Sequence, residues 1–259
     1  MYFPRLLYMS AELVSVVMPA FNAERFISET IDSLVRQTYP HWECHVVDDC
    51  STDATRELVS ARAAADSRIR LIALASNSGP AMARQAAVQA AGGRYVAFLD
   101  SDDLWLPHKL EHQLGFMADK QAGLSFTAFR RISRDGKSLG RLIHPPPRLT
   151  YRDLLGNTAI ATSSAVVDRK RVGDFRMVKT YYDDFALWLE ITRRGFPAYG
   201  LDEDLMRYRV VGGSVSRNKL RSARMVWSTY REVERLGWLR SAFHFARYAI
   251  NAARKYRAF

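Results

Sequence analysis

YVAFLDSDD, residues 95–103, runs five apolar residues directly into three aspartates. Gly92 and Gly93 precede the run, so it begins after a helix-ending signal and stops at a cluster of acids. A short apolar run bounded in this way reads as a buried strand. The pattern repeats upstream: CHVV (44–47) runs into Asp48 and Asp49, VSVVM (14–18) runs into Pro19, and residues 69–73 form a further short strand. Between these runs the spacing becomes helical. Phe26, Ile27, Ile31, Leu34 and Val35 recur at helical period behind Asn22, which is placed to cap them, and residues 55–65 and 80–91 are Ala-rich. Residues 104–118 read as another helix, with Pro107 confined to its first turn. Strands and helices alternating in this order predict βαβ units, hence an α/β fold with a mostly parallel central sheet flanked by helices.

Past residue 120 the alternation breaks, and a smaller mixed region attached to the sheet is expected. Residues 125–132 and 139–143 flank a turn at Asp135 and Gly136 and read as a hairpin. Pro145, Pro146 and Pro147 form a stiff connector, residues 159–167 read as a strand, and residues 183–194 read as a helix ended by Gly195. Residues 220–236 and 239–256 read as C-terminal helices. The expected organisation is a domain over 1–218, in halves 1–120 and 121–218, followed by a basic amphipathic tail over 219–259.

The net charge is +11, and it is unevenly spread. From Arg217 to Phe259 there are eleven basic residues and two acids, a net of +9, which leaves +2 for the preceding 216 residues. Basicity is thus a property of the tail, which argues against nucleic acid as the partner of the α/β region. In the tail, Leu239, Phe243, Ala246 and Ile250 share one helical stripe, with Arg240, Arg247 and Arg254 alongside. An anionic membrane surface and packing back onto the domain both fit that pattern. The longest charge-free stretch, residues 154–167, is too short and too polar to cross a bilayer, and MYFPRLLYMSAEL lacks the apolar stretch of a secretory signal. A cytoplasmic address is expected, peripheral to the inner membrane face if the tail binds lipid. Cys44 and Cys50 are too few for a disulfide framework.

In open α/β sheets the carboxyl ends of the strands line the ligand crevice, so Asp48 and Asp49 should converge there with Asp100, Asp102 and Asp103. Aspartates after strands also serve as turn formers and helix caps, and one such cluster carries no more than that. Two clusters at one rim repel each other unless a hard dication neutralises them, which points to Mg2+ or Mn2+ with a nucleotide diphosphate completing its ligand shell.

The runs VSVVMPAFNAERFISETIDSLVRQTYPHWECHVVDDCSTDAT (14–55), NSGPAMARQAA (77–87) and GGRYVAFLDSDDLWLPHKLEHQ (92–113) together resemble family 2 glycosyltransferases of the Rossmann-like GT-A fold. The resemblance is strongest over residues 14–117 and continues more loosely to about residue 218. It implies a nucleotide-sugar-binding half over 1–120 and an acceptor-binding half over 121–218. Pro19, Ala20, Phe21 and Asn22 then border the donor nucleotide; the family usually has Tyr where Phe21 stands, so a stacking ring remains without its hydroxyl. Asp49 corresponds to the carboxylate that bonds the nucleotide base, with Asp48 beside it. Asn77, Gly79 and Arg84 match the segment that closes over the nucleoside, although Gln85 stands where Asn is common. Asp100, Ser101 and Asp102 form the DxD signature, with Asp102 as direct metal ligand and Asp100 beside it. Cys50 replaces a more frequent Gly and reads as structural.

In YYDDFALWLEI (181–191), Asp183 and Asp184 match the family's acid pair, and Asp184 aligns with the general base of an inverting displacement. Two acids in a first helical turn are also ordinary partners of the helix dipole. In YRVVGGSVSRNK (208–219), Arg209, with Ser214 and Ser216 behind it, matches a segment that approaches the diphosphate, and Gly212 and Gly213 permit loop motion. The implied donor is a UDP- or dTDP-sugar, and the implied acceptor is a saccharide, lipid-linked in the members that build bacterial surface polysaccharides. A nucleic-acid- or membrane-binding module without transferase activity is the other reading of the charge. A nucleotidylyltransferase or dehydrogenase requires a Gly-rich phosphate loop after the first strand, and PAFNAE supplies none.

Overall fold

The computed structural model describes residues 12–211 and 219–257. β1 (Val14–Ala20), β2 (Trp42–Asp48), β3 (Ile69–Ala73) and β4 (Tyr95–Phe98) pair in parallel in the spatial order β3-β2-β1-β4. Every residue of β1 and β2 is buried, as expected of parallel strands covered on both faces. Val14, Val16 and Met18 point to one side, where Ile31 and Leu34 of α1 (Ile27–Val35), Val59 of α2 (Thr55–Ala65) and Leu110 of α4 (Lys109–Lys120) meet them. Val17 points to the other side, against Ala83 and Ala87 of α3 (Pro80–Ala90). Gly93 precedes β4 because the backbone of β1 passes over it. A Cβ there would lie 2.5 Å from the Leu13 carbonyl oxygen and 2.8 Å from the Ser15 amide nitrogen.

The second half continues the same sheet and changes its direction. β6 (Leu124–Ile132) takes β7 (Leu139–Ile143) as an antiparallel hairpin partner; β9 (Val166–Asp168) runs antiparallel between β4 and β6; β10 (Ala198–Arg209) runs parallel to β6. β5 (Leu104–Trp105) and β8 (Arg148–Leu149) are two-residue strands antiparallel to β10. α5 (Tyr151–Leu154), α6 (Arg169–Val172) and α7 (Asp183–Arg193) connect them, and α8 (Lys219–Ser228) and α9 (Trp238–Arg257) follow.

Several expected elements change. The helix expected over 104–118 begins only at Lys109, because Leu104 and Trp105 pair with Arg207 and Met206 and Pro107 precedes the first turn. Residues 159–167 are not one strand: Thr162–Ser164 form a 3-10 turn, and only Val166–Asp168 pair. The helix expected over 220–236 stops at Ser228 and passes into a π-turn over Thr229–Val233. Asn22 does not cap α1, whose N-cap is Phe26 without a side-chain bond. β10 was not anticipated, since register shifts between Leu201 and Asp204 and between Asp204 and Met206 erase its alternation.

α9 divides into two faces. Phe245 and Tyr248 pack on the domain core, and Asn251 Nδ2 donates to the Gly156 carbonyl at 2.9 Å. Trp238, Leu239, Phe243 and Ile250 are exposed, Leu239 at 89%. Among the described residues no helix is long and apolar enough to cross a membrane.

Candidate active site

The carboxyl ends of β1, β2 and β4 open on one edge of the sheet, and the loops leaving them are tied together by backbone groups. The Asp49 amide donates to the Ala20 carbonyl at 2.8 Å, joining the loops after β1 and β2. Asp49 itself is buried, and its two oxygens accept the Ser78 and Gly79 amides at 2.7 and 2.8 Å. Asn77 Nδ2 donates to the Asp49 carbonyl at 2.9 Å, so the loop entering α3 is clasped to the end of β2. Gly79, at φ 88°, takes a backbone conformation that a side chain resists. Pro19 and Ala20 end β1, and the Phe21 ring beyond them is 51% exposed. Asn22 (φ 48°) accepts the Thr52 amide at 2.9 Å and donates its own amide to Ser51 Oγ at 2.9 Å. It shapes the loop instead of starting a helix. Cys50 also has positive φ, 63°, the conformation for which Gly is usual, and its Sγ donates to the Leu74 carbonyl.

Asp48 does not join this group. It is fully buried, and Arg56 of α2 holds Oδ2 at 2.7 Å while the Ser51 amide approaches both oxygens. Its carboxylate supports the β2–α2 loop.

At the end of β4 each aspartate of the DSDD turn has a separate task. Asp103 is buried and braces the turn: Oδ2 accepts the Ser163 hydroxyl at 2.5 Å and Oδ1 accepts the Arg209 amide at 2.8 Å. Ser163 Oγ also accepts the Asp100 amide at 3.0 Å. The Ser101 carbonyl accepts the Thr30 hydroxyl at 2.9 Å, which anchors the turn to α1. Asp102 bonds no other side chain among the described residues, and burial together with the Asp100 charge pushes its pKa up to about 6. A carboxyl held this way gains most from a cation. Burial and the charges of Asp102 and Asp100 likewise push Asp103 well above the usual carboxylate range. The donor set is hard oxygen throughout, which fits Mg2+ or Mn2+ better than softer ions.

Arg209 is buried at the end of β10. Its Nη2 meets Glu29 at 2.6 Å and its Nε donates to the Asp102 carbonyl at 2.8 Å, with the guanidinium over the Phe26 ring. In this structure it braces the DSDD turn from behind, which differs from an arginine carried on a free loop. Gly212, Gly213, Ser214 and Ser216 lie outside the described residues.

Arg84 is the hinge of the site. It leaves α3 almost wholly buried, with Nη2 2.5 Å from Asp100 and Nη1 3.9 Å from Asp183. Burial opposes its charge, yet the carboxylates of Asp100, Asp184 and Asp183 outweigh that and raise its pKa. Asp183 and Asp184 occupy the first turn of α7, where the helix dipole favours negative charge. Asp184 Oδ2 accepts the Thr162 hydroxyl at 2.5 Å and Oδ1 accepts the Phe185 amide at 2.7 Å. Burial raises the Asp184 pKa, while Arg84 and the Thr162 hydroxyl hold it down. Burial and the neighbouring Asp184 charge raise Asp183 as well. A small cleft lined by Leu154, Thr158, Ile160, Tyr182, Phe185 and Trp188 opens on Asp184.

The fold therefore brings Asp100, Asp102, Arg84, Asp183 and Asp184 into one charged network, with Asp49 bonded to Gly79 at the N-terminus of α3, five residues before Arg84. Thr162 and Ser163, in the 3-10 turn that replaces the expected strand, link its two acidic groups. The available signal was TSS inside the apolar run AIATSSAVV, because buried hydroxyls in such a run require polar partners.

Comparison with known proteins is consistent with this geometry. Residues 15–180 match the model of the family described as glycosyl transferase family 2. A putative teichuronic acid biosynthesis glycosyltransferase of Bacillus subtilis is 44% identical over 245 residues, 94% of this chain and 97% of that one. A UDP-Glc:alpha-D-GlcNAc-diphosphoundecaprenol beta-1,3-glucosyltransferase of Escherichia coli is 36% identical over 83% of this chain and 84% of its own. Among solved structures, the mannosyltransferase PcManGT of Pyrobaculum calidifontis, in complex with GDP-Man and Mn2+, superposes with a TM-score of 0.68 at 20% identity, over 95% of this chain and 75% of that one. S. aureus TarS in complex with UDP-GlcNAc gives a TM-score of 0.66 at 20% identity, over 91% and 71%. The chain is a transferase of GT-A fold and belongs to glycosyl transferase family 2.

Proposed function

We propose that this glycosyltransferase is metal-dependent and inverting, and that it moves a sugar from a UDP- or dTDP-linked donor to a hydroxyl of a lipid-linked saccharide in surface polysaccharide synthesis. The observation that carries the reading is the junction of Asp102, bonded to no other side chain among the described residues and with its pKa raised to about 6, to Asp184 through Asp100, Arg84 and the 162–163 turn. Asp102, with Asp100, would hold Mg2+ or Mn2+, which supplies Lewis-acid neutralisation of the departing diphosphate. The names of the Bacillus subtilis and Escherichia coli relatives support the pathway and the lipid-linked acceptor.

The protein's own groups then divide the work. Asp49 and the Asn77 to Gly79 loop receive the base, and Phe21 offers a stacking face. Arg84 fixes the separation between the donor carboxylates and α7. Asp184 takes the proton of the acceptor hydroxyl as its oxygen forms the new bond to the anomeric carbon. The bond to the diphosphate breaks on the opposite face, so configuration inverts. A raised Asp184 pKa suits this, since a base is most effective when its pKa approaches the working pH. The small cleft beside Asp184 supports an acceptor approach from the α5 and α7 side.

The tail supports the lipid-linked acceptor. The exposed Trp238, Leu239, Phe243 and Ile250 of α9 stand beside Arg240, on a chain segment of net charge +9, as a helix lying on an anionic cytoplasmic leaflet requires. Sedimentation with phosphatidylglycerol vesicles, lost in Leu239→Glu/Phe243→Glu and weakened by salt, tests that part. Equal binding to neutral vesicles rejects it. A donor panel scored for nucleoside diphosphate release with Mg2+ or Mn2+ tests the chemistry. Asp184→Asn should bind donor and fail to transfer; if Asp184→Asn transfers normally, the assignment of the base is wrong.

A further inference from the structure

The start of α4 carries a second cluster of residue types that ligate metals, distinct from the aspartates of the DSDD turn. His108, Glu111 and His112 occupy positions i, i+3 and i+4, so they share one face of the first turns. One ligand atom from each lies within 4.8 Å of the others. The two imidazoles are stacked, with centroids 5.3 Å apart and planes 17° apart. Ligand atoms around a tetrahedral dication with bonds of about 2.1 Å lie about 3.4 Å apart, so small rotations of these solvent-facing side chains close the site.

Two outer contacts favour occupancy over a chance grouping. Glu203, on β10, stands 2.6 Å from His112 Nδ1; a carboxylate accepts, so Nδ1 donates, and in the neutral ring Nε2 is the nitrogen that offers a lone pair. A carboxylate behind a histidine is the usual outer partner of a metal-bound imidazole. Glu111 Oε2 accepts the Thr38 hydroxyl at 2.5 Å, which orients the third ligand in the same manner. The charges also balance, since a dication between Glu111 and Glu203 leaves the patch neutral.

We propose that His108, Glu111 and His112 bind one transition-metal dication of the zinc class, with Glu203 of β10 positioning His112. Imidazole nitrogens select zinc, nickel or copper, whereas the all-oxygen DSDD turn selects magnesium or manganese, so two metal sites of different softness coexist. Along β10, Asp204 pairs with Ala128 and Arg209 with Ile132, so the end of β10 that braces the DSDD turn lies four β6 residues further on, about 13 Å at about 3.3 Å per residue. The three ligands are separate from Asp100 and Asp102, so this inference stands whether or not the proposed reaction is correct.

The test is a titration of Zn2+ into the full-length chain in excess Mg2+, repeated with Co2+ and followed by visible absorption. Wild type and Asp102→Asn should each bind one equivalent, and Zn2+ should raise their melting temperatures. His108→Ala/His112→Ala should lose at least about 100-fold in affinity, and Glu203→Gln about 10- to 100-fold. Since both histidines are exposed, the double variant should melt as wild type does without Zn2+ and release diphosphate at the same rate in Mg2+. The proposal is overturned if wild type takes up no Zn2+ beside Mg2+, if the double variant keeps its affinity, or if Asp102→Asn is the variant that loses it.

Discussion

Replacing Asp102 with Asn should make the metal-free protein more stable while removing its capacity to hold a dication. The carboxyl has a pKa near 3.8 in an unfolded chain and about 6 in the fold, where burial and Asp100 disfavour its charge. An acid whose pKa is raised by folding keeps its proton in the native state longer than in the unfolded one. Stability therefore falls as pH rises from about 4 to 6 and stays low above. The difference is about 3 kcal/mol at pH 7.5 and about 1 kcal/mol at pH 4.5. Asp102→Asn carries no charge and should recover those amounts. Urea unfolding in EDTA, followed by circular dichroism at both pH values, measures them. Adding Mn2+ and UDP at about 1,000 times their dissociation constant should stabilise only the wild type, by about 4 kcal/mol, and so invert the order. Loss of stability in metal-free Asp102→Asn at pH 7.5, or a gain equal at both pH values, would refute the reasoning.

Thr162→Val removes the hydroxyl that holds the Asp184 pKa down, so the acid limb of the rate profile should move to higher pH. A bond to a charged group is worth about 1.5–3 kcal/mol, equivalent to about 1–2 pH units, and Thr162→Ser should restore the profile. Arg84→Gln strands Asp100, Asp183 and Asp184 around a neutral group and should cost about 3–5 kcal/mol at neutral pH by denaturant unfolding. The loss should shrink on acidification, as those carboxylates take up protons. Gly93→Ala forces a Cβ against the backbone of Leu13 and Ser15 and should cost about 1–3 kcal/mol, read as a lower melting temperature with donor affinity unchanged.

How much was legible in the sequence follows from where each signal lives. β1 to β4 and their helices were readable because a parallel strand covered on both faces is apolar along its whole length, as in the uninterrupted burial of β1 and β2. β10 was not, because its half-exposed residues and two register shifts leave no period. Leu104 and Trp105 carry a helix-compatible pattern, and only their pairing with β10 makes them a strand. The acids of the site were visible by their place after strands and by family resemblance. Their division of labour was not: Asp48 and Asp103 look like Asp102 in a sequence, yet they are spent on Arg56 and on Ser163, while Asp49 also clasps the loop that enters α3. The Arg84 bridge depends on α3 and α7 meeting in space, and no local pattern announces it. In the tail the stripe of Leu239, Phe243 and Ile250 was readable, and so was the choice between packing and exposure. The structure gives each role to a separate face of α9, with Phe245 and Tyr248 packed inward.

The most direct test of the central claim is the electron paramagnetic resonance of Mn2+ titrated into the protein with and without UDP. The account predicts that UDP tightens Mn2+ binding at one site in wild type and in Asp184→Asn, and that Asp102→Asn abolishes this effect. Unchanged UDP-dependent Mn2+ binding in Asp102→Asn would contradict it.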